Sequence, residues 1–104
     1  MTHIDIAIVG AGIVGSSTAY YLGKHGYKGR IALFEKDTSF RQSCTALSWG
    51  GIRQQFSTPE NIRLSRFGLD LIRNLKDEFG PNADIAFKEQ GYLVLATERG
   101  IPVL

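Results

Sequence analysis

The sequence predicts an α/β fold built on one parallel βαβ unit, and three observations in its first 35 residues carry that prediction. An apolar run, Asp5-Ile-Ala-Ile-Val9, leads straight into the glycine turn Gly10-Ala-Gly12-Ile-Val-Gly15. A stretch with helical spacing follows from 13 to 25 and closes at Gly26. A second apolar run, Arg30-Ile-Ala-Leu-Phe34, then ends in an acid, Glu35, 20 positions beyond Gly15. Three spaced glycines alone are a weak signal. A glycine turn that leaves a strand, opens a helix and is answered by an acid about 20 residues later is the fingerprint of a dinucleotide site.

Each element has its own justification. Ile4 to Val9 alternates and then runs apolar, as a buried parallel strand does. Gly10 serves the tight turn out of that strand, Gly12 admits a pyrophosphate close to the backbone, and Gly15 lets the helix lie against the strands. The first helical turn, Ile13 and Val14 with Gly15, offers N–H groups that have no partner inside the helix, at the end where the dipole favours an anion. Val14, Thr18, Tyr21 and Leu22 lie near helical spacing, and Gly26 is a usual stop. Lys28-Gly29 turns the chain into the second strand, Ile31 to Phe34, parallel to the first by the crossover rule. Glu35 then stands where it can accept hydrogen bonds from both hydroxyls of a ribose, and an acid there disfavours NADP.

Residues 36–56 are polar and glycine-rich without a clear period, which inside a compact domain marks a functional or disordered segment. Ser57-Thr-Pro-Glu60 reads as a capping box with proline in the first turn. The helix it opens carries Leu64, Phe67, Leu71, Leu75 and Phe79 and ends at Gly80-Pro81. Ile85 to Lys88 and Tyr92 to Thr97, separated by Glu89-Gln90-Gly91, read as two short strands of a hairpin.

Composition narrows the function. The 104 residues fit one small domain with a modest core, 43% apolar and 21% charged. A net charge of +2 gives no argument for nucleic acid, and Arg63, Arg66 and Arg73 read as a solvated helix face. The single cysteine, Cys44, excludes an internal disulfide and is expected to be a buried packing residue. His3 and His25 have no ligand spacing, so no metal site is expected. No run approaches the ~20 apolar residues that span a bilayer, and the first strand begins too near Met1 to leave room for a cleaved leader. A cytoplasmic location is the resulting expectation. Only two strands of a parallel sheet are present, and the chain closes on the apolar Gly100-Ile-Pro-Val-Leu104, so it reads as the front of a larger protein.

The turn itself is shared by NAD and FAD proteins. Its continuation through Ala19, Leu22 and Gly26 resembles the extended FAD motif. The segment Ser43-Cys-Thr-Ala-Leu-Ser-Trp-Gly50-Gly51-Ile-Arg53-Gln-Gln-Phe56, with Ser57-Thr-Pro-Glu-Asn-Ile-Arg-Leu-Ser65 and Gln90-Gly-Tyr-Leu-Val-Leu95, resembles the FAD-dependent oxidoreductases of the D-amino-acid oxidase superfamily. The branch of sarcosine oxidase β-subunits and proline dehydrogenases is the most similar.

That resemblance implies a Rossmann-like FAD-binding portion over residues 1–80 and the first strands of a substrate domain over 81–104. Glu35 would hold the adenosine ribose with Lys36 beside it. Ser43 and Thr45 would meet the pyrophosphate and ribityl chain, and the N–H groups of Gly50, Gly51 and Ile52 would approach the flavin ring. Arg53 would add positive charge there or take a surface ion pair. Ser48 stands where some relatives carry a histidine bonded to flavin, which implies dissociable FAD. The implied reaction is oxidation of the C–N bond of a small amino acid or of a secondary or tertiary amine, such as sarcosine, proline, dimethylglycine or glycine. Substrate-binding and catalytic residues would lie beyond this chain, on the rest of the protein or on a partner subunit. Two other readings stand beside it: a dinucleotide-binding module without turnover, and part of an NAD-dependent dehydrogenase, which the segment 43–56 disfavours.

Overall fold

A computed structural model describes residues 3–101. Its elements are β1 (Ile6–Val9), α1 (Ile13–Lys24), β2 (Ile31–Phe34), α2 (Pro59–Arg73) and α3 (Leu75–Phe79). Residues up to Ile52 make one compact unit and those from Arg53 a second. The expected end at Pro102–Leu104 lies outside the described residues.

In the first unit β1 and β2 pair in parallel, with Ile6 opposite Ile31 and Val9 opposite Phe34. The ladder is closed at both ends by other groups. At its start Asp5 accepts the Arg30 N–H on its carboxylate at 2.7 Å, while the Arg30 carbonyl accepts the N–H of Asp5. At its end the Gly10 N–H donates to the Phe34 carbonyl at 2.7 Å. The helix α1 packs on both strands, and the α/β reading holds to this extent. The burial expected of β1 does not: no described residue is fully buried, and Val9 is 88% exposed. Two strands under one helix leave most of their side chains without a covering layer.

The second unit departs from the sequence reading in three places. The proline does open α2, but its N-cap is Thr58 rather than Ser57, and no side chain caps it. The proposed capping box is therefore absent, one residue out of register. The single long helix is broken at Asn74, whose side-chain amide and backbone N–H both donate to the Asp70 carbonyl, at 2.7 and 3.1 Å. Asparagine's readiness to bond nearby backbone is the cause. Finally, Ile85–Lys88 and Tyr92–Thr97 form no ladder. Their alternation is real, but a strand exists through hydrogen bonds to a neighbour, and an isolated hairpin is marginal at best.

Candidate functional site

The end of β1, the first turn of α1, the end of β2 and the loop after it enclose an open cleft of about 820 Å³. That is a volume typical of small-molecule sites. Two glycines shape it in different ways. Gly10 sits at φ 98°, a conformation that L side chains rarely adopt, and it turns the chain out of β1. Gly15 is a packing requirement, because a Cβ there would collide with the Gly10 carbonyl oxygen and lie 3.2 Å from Ile8 Cγ2.

Gly12 is the contrasting case. A Cβ on it would meet nothing within 4 Å, so the protein's own packing does not demand glycine there. Gly12 also lines the cleft. As N-cap of α1 it offers no side-chain cap, and the first turn holds no acid. The N–H groups of Ile13, Val14 and Gly15 have no carbonyl to reach within the helix. The positive end of the helix dipole is thus left for an anion.

Glu35 links the two halves of the cleft. Its Oε2 accepts the Ala11 N–H at 2.8 Å and its Oε1 accepts the Asp37 N–H at 2.9 Å. One carboxylate therefore ties the glycine turn to the loop that follows β2. Hydrogen bonds to its charged form, from Asp37 first and Ala11 second, hold its pKa below the ordinary carboxylate value of about 4.5. A carboxylate has about four acceptor positions, so capacity remains for a hydroxyl donor beside these amides.

The loop from Asp37 onward is a chain of local turns. Asp37 accepts the Ser39 N–H at 2.9 Å, and Ser39 in turn lowers the Asp37 pKa. Ser43 Oγ accepts the Ala46 N–H at 3.1 Å. Ser48 Oγ donates to the Thr45 carbonyl at 2.8 Å and accepts the Gly50 N–H at 3.2 Å.

Of the residues singled out from sequence, the structure brings Gly10, Gly12, Ile13, Val14, Gly15, Glu35, Lys36, Ser43 and Thr45 to this cleft. Gly50, Gly51 and Ile52 do not line it. Among the described residues Arg53 makes no ion pair, and its guanidinium stacks over Phe56 at 4.8 Å. Arg73, read as a solvated face, makes a two-pronged bond to Glu89 at 2.7 and 3.0 Å. Cys44 is exposed and lines the cleft, so the expectation of a buried packing thiol is corrected. Sequence reasoning missed Asp37 and Phe40, both at the cleft. The signal for Asp37 was its place two residues after Glu35 and two before Ser39, the spacing of an Asx turn. Among the described residues no cluster of metal-binding side chains occurs, and no helix is long and apolar enough to cross a membrane.

Comparison with known proteins places the chain. The FAD dependent oxidoreductase family model matches residues 5–103. A Drosophila melanogaster protein, the FAD-dependent oxidoreductase domain-containing protein 1 homolog, is 44% identical over 98 residues, or 93% of this chain and 19% of that protein. The Xenopus laevis FAD-dependent oxidoreductase domain-containing protein 1 is 41% identical, covering 96% of this chain and 21% of its own length. A glycine oxidase from Geobacillus kaustophilus is 34% identical over 93% of this chain and 26% of its own. The chain thus spans about a fifth to a quarter of these relatives. No solved structure matches it.

Proposed function

The chain belongs to the family of FAD-dependent oxidoreductases, with FAD as its cofactor, and from that premise we propose that its cleft holds the adenosine diphosphate half of FAD in a Rossmann-like manner. One observation carries the reading: Gly12, the N-terminal turn of α1 and Glu35 line a single cleft. The residues fit the group. The space beside Gly12 that a Cβ would occupy is open, and no acid in the first turn opposes a phosphate.

The N–H groups of Ile13, Val14 and Gly15 bind the pyrophosphate and fix its orientation, because they are aimed before the ligand arrives. Glu35 uses its remaining acceptor capacity on the ribose hydroxyls while its Ala11 and Asp37 bonds hold the turn in place. Lys36 lies beside that ribose, and the Ser43 and Thr45 hydroxyls serve the pyrophosphate side. Gly50, Gly51 and Ile52, outside the cleft, are left for the flavin end, where the Gly51 and Ile52 amides stabilise negative charge while the Gly50 N–H is held by Ser48. When bound, the flavin supplies a hydride acceptor. Serine at position 48, with no imidazole to bond the flavin, supports a non-covalent cofactor.

For the whole protein we propose oxidation of the C–N bond of a small amino acid or amine. The similarity to a glycine oxidase supports that class. On this reading residues 81–104 begin the substrate-binding part, and the acid or base of the reaction stands elsewhere in the protein. The test is an absorbance spectrum after FAD is added and unbound cofactor removed, repeated with ADP as competitor. Flavin bands that persist and are displaced by ADP support the proposal, and a colourless protein overturns it. Glycine, sarcosine and proline added without oxygen to the flavin-loaded whole protein then report substrate class by bleaching.

A further inference from the structure

Phe40 holds a backbone conformation that a residue with a large side chain rarely adopts, φ 56°. Three bonds keep it there or mark its turn. Its N–H donates to the Asp37 carbonyl at 3.1 Å, the Ser39 N–H donates to the Asp37 carboxylate at 2.9 Å, and its own carbonyl accepts the Ser43 N–H at 2.9 Å. A turn that needed only this φ would be best served by glycine or asparagine. Phenylalanine stands here instead, lining the cleft together with Glu35, Lys36 and Asp37 and with 40% of its surface exposed. An observed strain of this kind at a cleft is a sign of a ligand contact.

We infer that the Phe40 ring is the platform on which the adenine of the bound dinucleotide stacks. The inference deepens the reading above and rests on it. Phosphates are drawn to the α1 N-terminus and ribose hydroxyls to Glu35. What remains of adenosine diphosphate is a flat base, and Phe40, on its over-determined turn, is the aromatic residue beyond Glu35 that lines the cleft. Phe34 also lines the cleft, but its position follows from ordinary pairing with Val9. A base stacks on an aromatic ring whatever its hydrogen-bonding edge, so Phe40 supplies affinity for the base while Glu35 selects the sugar.

The test compares equilibrium binding of ADP with that of ribose 5-diphosphate, which lacks the base. Alanine retains the Cβ and its demand on φ, so Phe40→Ala removes the ring alone. It is expected to weaken ADP about 5- to 150-fold and to leave ribose 5-diphosphate within about twofold. Phe40→Trp is expected to restore ADP binding. Phe40→Gly, which relieves the backbone, is expected to weaken ADP as alanine does. Equal ADP affinity in wild type, Phe40→Ala and Phe40→Gly would overturn the stacking role and leave the proposed function standing. Equal loss of both ligands in Phe40→Ala would overturn it too, by making the ring a support of the loop. Absence of ADP binding by the unsubstituted protein would overturn the parent reading itself.

Discussion

Between Asp5 and Thr45 the chain closes hydrogen bonds over 24 and 25 positions, from Ala11 to Glu35 and from Arg30 to Asp5. From Ser57 to Ile101, by contrast, the regular structure is two helices sustained by their own backbone bonds. In the first region a polar group at one end of the sequence finds its partner far along it, and a shaped cleft results. In the second, a well-patterned stretch such as Tyr92–Thr97 finds none among the described residues, and Leu93 and Leu95 are each 87% exposed. Amphipathic pattern says which face a segment wants covered. Only a partner turns that preference into structure, and in the first region the partners of Ala11, Asp5 and Gly10 build the cleft around Glu35.

The most disruptive way to break this contrast is at Gly15. Gly15→Val would drive a side chain into the Gly10 carbonyl, where backbone on both sides has little freedom to yield. The expected outcome is a loss of about 1–3 kcal/mol in stability together with loss of FAD binding, read by denaturant unfolding and flavin retention. Gly12→Ala sharpens the same point from the opposite side. With nothing within 4 Å of the added Cβ, the loss should not exceed the ~1 kcal/mol of an alanine at a helix N-cap, while FAD affinity falls. If both changes acted alike on stability, the distinction between a packing glycine and a ligand-facing glycine would fail.

Glu35 gives an intermediate effect with a pH signature. Its pKa in the folded chain lies below the ordinary value of about 4.5, because the Asp37 and Ala11 amides favour the charged form. A depressed carboxylate contributes stability that is fully present above its unfolded pKa and is lost as pH falls through the folded one. Unfolding of the first region should therefore grow easier as pH drops below about 4.5, and Glu35→Gln should flatten that dependence. An unchanged acid limb in Glu35→Gln would show that the carboxylate does not hold the turn. The smallest effect belongs to the second region. Leu93→Lys, at a position 87% exposed, should change stability by no more than about 0.5 kcal/mol in thermal unfolding.

The difference between the regions also explains what could be read from the amino acids. The βαβ unit and its glycines were legible because each obeys a short-range rule: a positive φ at Gly10, a close approach at Gly15, a free helix end after Gly12. The place of Glu35 was legible from its spacing, but its bonds to Ala11 and Asp37 were not, since they depend on how the turn folds back over the end of β2. Thr58 rather than Ser57 became the cap of α2, because both are capping residues and neighbouring positions compete. The hairpin over 85–97 failed for a different reason: alternation is a local property and pairing is not. Phe40 was passed over because no side-chain rule predicts an aromatic residue at positive φ.

Amide hydrogen exchange with and without FAD tests the central claim most directly. If the first region is the cofactor site, FAD should slow exchange from Ala11 to Gly15 and from Glu35 to Thr45, and leave the α2 amides unchanged. Protection that spared the glycine turn, or that was concentrated in Pro59–Arg73, would contradict the account.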